Sequence, residues 1–114
     1  MENNEIQYSD FEKVDIRVGK IIKVEDFPEA RKLMYKFTVD FGPEVGIKIS
    51  AGQFTKNYTK DELMGRLIIG CINLVPKKIG PFTSEFITLG LTDRDGNAVL
   101  LSPDKDVSLG ERMY

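Results

Sequence analysis

The residues best placed to do chemistry are two adjacent lysines, Lys77 and Lys78, which follow a proline. The pyrrolidine ring of Pro76 fixes its own φ and biases the preceding residue toward extended geometry, so the lysines are expected at a defined position. The pair Gly80-Pro81 is typical of a turn. The segment therefore predicts a rigid basic surface that could meet an anion. The alternative is an ordinary solvated lysine pair at the end of a strand.

The sequence offers little support for catalysis or metal binding. The chain has no histidine, the commonest general base and metal ligand, and Cys71 is its one cysteine. Neither a phosphate-binding glycine loop nor a nucleophile elbow occurs. We therefore expect no enzymatic activity, no cofactor and no metal. A group of carboxylates near the end of the chain matches no calcium loop and is interpreted as turn-forming: Asp93, Asp95, Asp104 and Asp106.

Positive charge is concentrated in the middle of a nearly balanced sequence. The chain carries 16 basic and 18 acidic residues, and its 16–80 region holds 12 of the basic residues and 7 of the acidic ones. Both flanking regions are acidic. This distribution permits a local basic face on an acidic protein, which would favour a folded polyanion as partner.

The length of 114 residues predicts one domain, 1–114, with residues 1–8 flexible. The first residues lack both a basic start and an apolar stretch, and no run approaches the roughly 18 apolar residues that a membrane span needs. The single cysteine allows no disulfide within the chain, which favours a reducing compartment. We therefore expect a soluble cytoplasmic protein without a membrane partner.

The hydrophobic pattern predicts short strands separated by turns. A capping box from Ser9 to Glu12 predicts a short helix near residues 9–13, and a second one from Thr59 to Glu62 predicts a helix that ends at Gly65. Strict alternation over 33–41 predicts the most secure strand, with a hairpin partner at 46–50. Further strands are expected at 67–74, 86–89 and 99–101.

The first strand carries apolar residues at period two with a glycine in the middle. We expect one face to hold Ile16, Val18, Ile22 and Val24, with Gly19 as a bulge or a point of close approach. A bent strand can serve both sides of a closed sheet. The strands and the intervening helix thus indicate a mainly β, five-stranded Greek-key barrel of the oligonucleotide-binding type, an OB-fold. An open sandwich is the alternative.

Aromatic residues in the predicted connections could be exposed. Alternation places Tyr35, Phe37 and Phe41 in the core. Those outside the strands could either stack on bases or line an apolar peptide groove, and the sequence does not choose between the two: Phe54, Tyr58, Phe82 and Phe86.

Four motifs in a fixed order resemble a known family. The chain is similar to stand-alone tRNA-binding domains, nearest to CsaA-type export-related chaperones, over roughly residues 9–112. Related modules are appended to methionyl-tRNA and phenylalanyl-tRNA synthetases, where they add tRNA affinity without catalysis. The motifs are Asp15-Ile16-Arg17-Val18-Gly19-Lys20-Ile21, Phe27-Pro28-Glu29-Ala30-Arg31-Lys32-Leu33, Ile49-Ser50-Ala51-Gly52, and the stretch from Asn73-Leu74-Val75-Pro76-Lys77-Lys78-Ile79-Gly80 to Ser84-Glu85.

The resemblance implies a five-stranded OB barrel, a homodimer built through the N-terminal helix and the terminal segments, and binding of structured tRNA. Its departures from the family pattern favour the CsaA branch: Phe27 stands where many relatives have histidine, and Phe86-Ile87 where they have Gly-Met. Carried over by position, the candidate RNA-binding residues are Asn73, Lys77, Lys78 and Ser84, with Ser50, Gln53, Arg31 and Lys32 as neighbours.

For CsaA-like members the resemblance also implies binding of unfolded or precursor polypeptides. A polypeptide-binding secretion chaperone with little physiological RNA role is therefore the competing function. The candidate peptide-binding residues are Phe54, Phe82, Phe86 and Ile87. Apolar residues near the termini of a small barrel need cover, so the predicted dimer interface consists of Phe11, Val14, Leu109 and Met113.

Overall fold

The computed structural model describes residues 3–114. The expectation that the first residues are flexible falls partly on Met1 and Glu2, which lie outside the described residues. The helices are α1 (Tyr8–Glu12) and α2 (Lys60–Leu63), and neither helix of this part of the chain has the length and apolar character needed to span a bilayer. The strands are β1 (Ile16–Asp26), β2 (Tyr35–Asp40), β3 (Ile47–Gly52), β4 (Leu67–Cys71), β5 (Lys77–Ile79), β6 (Phe82–Ser84), β7 (Ile87–Thr88), β8 (Gly90–Thr92) and β9 (Ala98–Leu100).

Five of the strands form a nearly closed antiparallel barrel. Their order is β3-β2-β1-β4-β7, with β1 at the centre of the sheet. The two edges approach each other, since the Glu85 amide donates to the Ile49 carbonyl at 2.8 Å and the Ser50 hydroxyl donates to the Phe86 carbonyl at 2.8 Å. The prediction of a mainly β, OB-like barrel with short helices is confirmed, and the open-sandwich alternative is wrong.

The inward face of β1 differs from the predicted one. Gly19 packs so closely on β2 that a Cβ atom there would lie 2.5 Å from Val39 Cγ1, which confirms the predicted close approach. Ile21 is fully buried. The register with β2 shifts between Ile21 and Lys23, so a bulge leaves Ile22 exposed. The predicted face is wrong, because the extra residue reverses the side chains beyond it: Val24 packs against the core, whereas Val18 lies on the opposite side of the strand.

Val18 is buried on the opposite side of β1, under the C-terminal segment. Its amide donates to the Glu111 carbonyl at 3.0 Å, and its carbonyl accepts from the Gly110 amide at 2.8 Å. Arg17 forms an isolated bridge with Arg112. The last residues of the chain therefore pair with the first part of β1, along the edge that β2 leaves free.

The core follows the alternation predicted for β2. Phe37 and Val39 point inward, and Phe41 continues the same face beyond the strand, while Leu33 lies before the strand and is exposed. Burial of each large apolar side chain contributes about 1.5–3 kcal/mol. The buried cluster consists of Ile21, Phe37, Val39, Phe41, Phe54, Leu63, Ile68, Phe86 and Leu100.

The two short helices begin at capping residues, one of them as predicted. Thr59 caps α2, with its hydroxyl accepting from the Glu62 amide at 3.2 Å, and the reciprocal bond from the Thr59 amide lowers the pKa of Glu62. The short helix predicted near residues 9–13 is present, but the predicted capping box from Ser9 to Glu12 is wrong. The helix begins at Tyr8, and the Asp10 carboxylate accepts from the Gln7 amide at 3.1 Å.

Candidate nucleic-acid interface

The two lysines of the proline-led motif lie on a hairpin that is separate from the barrel sheet. Strand β5 carries Lys77 opposite Ser84 and Lys78 opposite Thr83 on β6. Gly80 adopts a φ of 60° in the connecting turn, a conformation that glycine adopts without strain. The lysines therefore stand on paired backbone rather than on a loop, which holds their Cα atoms in place.

The hairpin faces the connection between β1 and β2 across a groove of about 620 Å³. We call this the cationic groove and define it by Arg31, Lys32, Gln53, Lys77 and Lys78, which all line it. The resemblance described above implies RNA binding by these five residues, and the fold brings them together although 45 residues separate Lys32 from Lys77.

The basic side chains of this groove form no ion pairs with the acidic side chains of residues 3–114. The groove's lining includes one carboxylate, that of Glu29. Over residues 3–114, none of the four basic side chains pairs with a carboxylate within 4.0 Å. Unpaired cations gathered along one groove are the arrangement that attracts a phosphate backbone.

An aromatic contact attaches the hairpin to the rest of the protein. The rings of Phe27 and Phe82 meet edge to face with centroids 5.3 Å apart. The ammonium group of Lys36 lies 5.4 Å from the Phe27 centroid and 5.9 Å from that of Phe82. Phe82, a candidate peptide-binding residue, thus packs against a cation next to the turn of the hairpin.

Three of the polar side chains proposed as RNA contacts are already bonded within the chain. Ser50 and Ser84 are buried, 3.3 Å apart at their hydroxyl oxygens, and both hydroxyls donate to the Phe86 carbonyl. The amide of Asn73 accepts from the Asp15 backbone at 2.9 Å and donates to the Lys13 carbonyl at 2.6 Å. RNA contact by these three residues stays a prediction.

A second groove, of about 640 Å³, opens between the end of β3, strand β7 and the segment before β5. We call it the apolar groove. The expected exposure of Phe54 and Phe86 is wrong, because they are only 5% and 2% exposed, although both line this groove. Ile87, half exposed, lines it as proposed, whereas Phe82 does not.

Sequence reasoning missed the most exposed apolar residue of this groove and its neighbour in the chain. Val75 is 89% exposed and Leu74 is also exposed, and both line the groove. The signal was an apolar pair placed directly before Pro76, where a strand has to end. Large apolar side chains that stay exposed beside a concave surface are typical of a binding site.

The residues proposed for dimerisation lie in two places. Phe11, Val14 and Met113 line a shallow cavity of about 280 Å³ where α1 meets the C-terminal segment. Leu109 lies apart from them, with its carbonyl against Gly42. Arg112 joins the two terminal segments by donating to the Glu12 carbonyl at 2.6 Å.

Charged residues elsewhere have structural roles. The bond that Arg17 Nε donates to Asp15 Oδ1 at 2.7 Å raises the pKa of Arg17. Hydrogen bonds from Asn57 and from the backbone of Asn97 lower the pKa of Asp93, which organises the predicted turn between β8 and β9. Within the described part of the chain, no three His, Cys, Asp or Glu side chains gather where they could hold a metal ion.

Comparison with known proteins gives a consistent result. A family model described as "Putative tRNA binding domain" matches residues 16–112. The methionine–tRNA ligase of Thermococcus onnurineus (strain NA1) is 44% identical over 108 residues, which are 95% of this chain and 14% of that protein. The chain thus spans about one seventh of the length of the curated relatives it matches.

Solved structures agree with this match. The CsaA chaperone protein from Picrophilus torridus is 45% identical with a TM-score of 0.90, and the alignment covers 96% of this chain and 100% of that one. The CsaA chaperone from Bacillus anthracis is 34% identical with the same TM-score, over 96% and 99% of the two chains. A MetRS-related protein from Pyrococcus horikoshii is 26% identical with a TM-score of 0.84, over the whole of both chains.

Proposed function

Because the chain belongs to the tRNA-binding domain family, we propose that it is a non-catalytic module that binds structured tRNA through the cationic groove. The observation that carries the proposal is the gathering of Arg31, Lys32, Lys77 and Lys78 around one groove, unpaired with any carboxylate among residues 3–114. Basic side chains on such a surface displace the counterions that are condensed on the RNA phosphates, and this release supplies much of the binding free energy.

The rest of the groove suits a folded RNA better than a bare polyanion. Gln53 is exposed, and its side-chain amide makes no hydrogen bond to another residue of the described chain. An amide can both donate to and accept from base edges and sugar hydroxyls. The module therefore combines backbone attraction from its cations with a polar group that can recognise RNA shape.

We further propose that two copies act together as a homodimer. Tyr8, Val14 and Met113 leave apolar surface exposed around the cavity between the terminal segments, and this supports an interface there. A two-fold axis through that region would present two cationic grooves to one RNA. Dimerisation would thereby double the number of phosphates that the protein neutralises.

The test is the double substitution Lys77→Ala with Lys78→Ala, titrated against bulk tRNA over a range of salt concentrations. We expect weaker binding and a plot of log affinity against log salt whose slope falls by about 0.7–0.9 for each phosphate that the variant no longer neutralises. The fold should persist, because both side chains are exposed and outside the core.

The matched control removes two exposed lysines that line neither groove, Lys20→Ala with Lys105→Ala. It lowers the net charge equally, so it separates the groove from the overall charge. Equal reductions of affinity in the two double variants, or no reduction in either, would contradict the cationic groove as the RNA site.

A second candidate function is a polypeptide-binding, export-related chaperone. The similarity to CsaA chaperones and the exposed apolar groove support it. Unfolded polypeptide would bind there by apolar contacts, which salt does not screen.

Under this second function, the protein should suppress aggregation of a denatured client protein equally at low and high salt, as followed by light scattering. The substitution Ile87→Ser, which makes the apolar groove polar, should abolish that suppression. Suppression that survives this substitution would remove the groove from the chaperone hypothesis.

A further inference from the structure

The cationic and apolar grooves are continuous. Four residues line both of them: Met34, Gln53, Lys77 and Ile79. Lys77 and the exposed Gln53 amide therefore stand at the junction, with free cations on one side and apolar side chains on the other. A ligand that follows the channel must be anionic along one part and flat or apolar along the next.

We propose that the apolar groove receives the base of an unpaired nucleotide whose phosphates lie in the cationic groove. The inference rests on the proposed function and names the RNA feature that the site selects. A nucleic acid matches the channel because its charge lies on the backbone and its apolar surface on the bases. Bases inside a duplex are stacked and cannot reach a side groove, so the nucleotide has to be unpaired.

The lining of the apolar groove suits a base. Ile87 and Val75 offer exposed apolar surface, and the buried Phe54 and Phe86 also line the groove. The one carboxylate of this lining, that of Glu85, accepts from the Ile49 amide at 2.9 Å. The Gln53 amide at the entrance can pair with a base edge. The groove volume of about 640 Å³ lies within the range of small-molecule sites, which is ample for one nucleotide.

Charge favours a nucleotide over a polypeptide as the occupant. A neutral apolar polypeptide would fill the apolar groove, but it would offer no negative charge to Lys77 and the neighbouring cations at the junction. A nucleotide carries an anionic phosphate and a flat base, which the sugar holds at a fixed separation. One nucleotide can therefore contact the cationic groove and the apolar groove together. Polypeptide occupancy is the alternative that the test has to distinguish.

The test compares three RNA probes: a blunt duplex, the same duplex with a short unpaired 3′ tail, and the same duplex with an abasic tail of equal length. The abasic tail has the same phosphates but no bases. A difference in affinity between the two tails therefore measures the contribution of the bases alone. We expect the base-bearing tail to bind about tenfold more tightly than the abasic one, because a base buries apolar surface against Ile87 and Val75 that the abasic tail leaves exposed to water.

Ile87→Ser should reduce the ratio of the affinities for the two tails toward one, while leaving the affinity for the blunt duplex unchanged. Val75→Ser, outside any strand, should do the same and guards against misfolding of the first variant. Ile47→Ser is the matched control, because Ile47 is an exposed isoleucine that lines neither groove. It should keep the ratio of the unmodified protein.

The outcomes separate this inference from the proposed function. Equal affinity for the two tails, or a ratio that Ile87→Ser and Val75→Ser leave intact, overturns the nucleotide pocket while RNA binding stands. Loss of binding to an unfolded polypeptide in these variants, with no change in the tail ratio, assigns the groove to polypeptide and also overturns it. If no probe binds in a way that Lys77→Ala with Lys78→Ala weakens, the proposed function fails as well.

Discussion

At the scale of single residues, burial decides which polar groups are available to a ligand. Ser50 and Ser84 belong to motifs that resemble an RNA-binding surface, yet both hydroxyls donate to the Phe86 carbonyl where the barrel closes. Asn73 likewise links the end of β4 to residues 13 and 15. Breaking the buried serine bonds would cost about 1–3 kcal/mol per unsatisfied group, so the two serines can shape the site without contacting RNA.

Phe82 provides a prediction at this scale, because it connects the hairpin of the two lysines to the body of the protein. Phe82→Ala removes the ring contact with Phe27 and the surface beneath Lys36. An aromatic pair is worth about 0.5–1.5 kcal/mol beyond burial, so tRNA affinity should fall by about threefold to tenfold as the hairpin loosens. The salt dependence should stay unchanged, because every cation is retained.

Titration across salt concentrations measures both quantities in this variant. Phe82→Tyr, which retains the ring, should restore affinity. Unchanged affinity in Phe82→Ala, or a lower salt slope, would show that the ring does not position the lysines. The result would also bear on the peptide-binding role suggested for Phe82, which lies outside the lining of the apolar groove.

At the scale of elements, sequence patterns correctly predicted the helix cap, the strand and the turn that depend on neighbouring residues. The capping box of α2, the alternation of β2 and the turn at Gly80-Pro81 all depend on residues close together in the chain, and the structure confirms each of them. The inward face of β1 was mispredicted because the bulge at Ile22 depends on pairing with β2. No property of residues 16–26 alone specifies that extra residue.

The sequence pattern predicted only part of the structure of the hairpin formed by β5 and β6. Pro76 and the turn residues predicted a rigid position for the lysines, and the structure adds that they belong to a paired strand. Their neighbours across the cationic groove come from the connection between β1 and β2. That proximity follows from the barrel, which brings distant connections to one side.

At the scale of the whole molecule, the proposed homodimer leads to a further prediction. Val14→Asp with Met113→Asp would bury charge in an apolar interface and should give a monomer of 12.9 kDa, where the unmodified protein has twice that mass by light scattering. The salt slope for tRNA should fall to about half, because one groove instead of two contacts the RNA.

Ile47→Asp with Leu91→Asp serves as the control for this prediction. Both residues are exposed and apolar, and neither lines the cavity between the terminal segments. This variant should remain dimeric. A monomeric unmodified protein, or a dimer that survives the Val14 and Met113 changes, would contradict the interface proposed at the termini.

The amino-acid sequence by itself determined the short strands, the α2 cap, the turns and the presence of a basic segment, because each is governed by neighbours within a few residues. Only the tertiary structure decided that Arg31 and Lys32 meet Lys77 and Lys78, that Ser50 and Ser84 are buried, and that a cationic groove continues into an apolar one. Those facts depend on the register of β1 and on the approach of β3 to β7, and both are set by contacts between segments far apart in the chain.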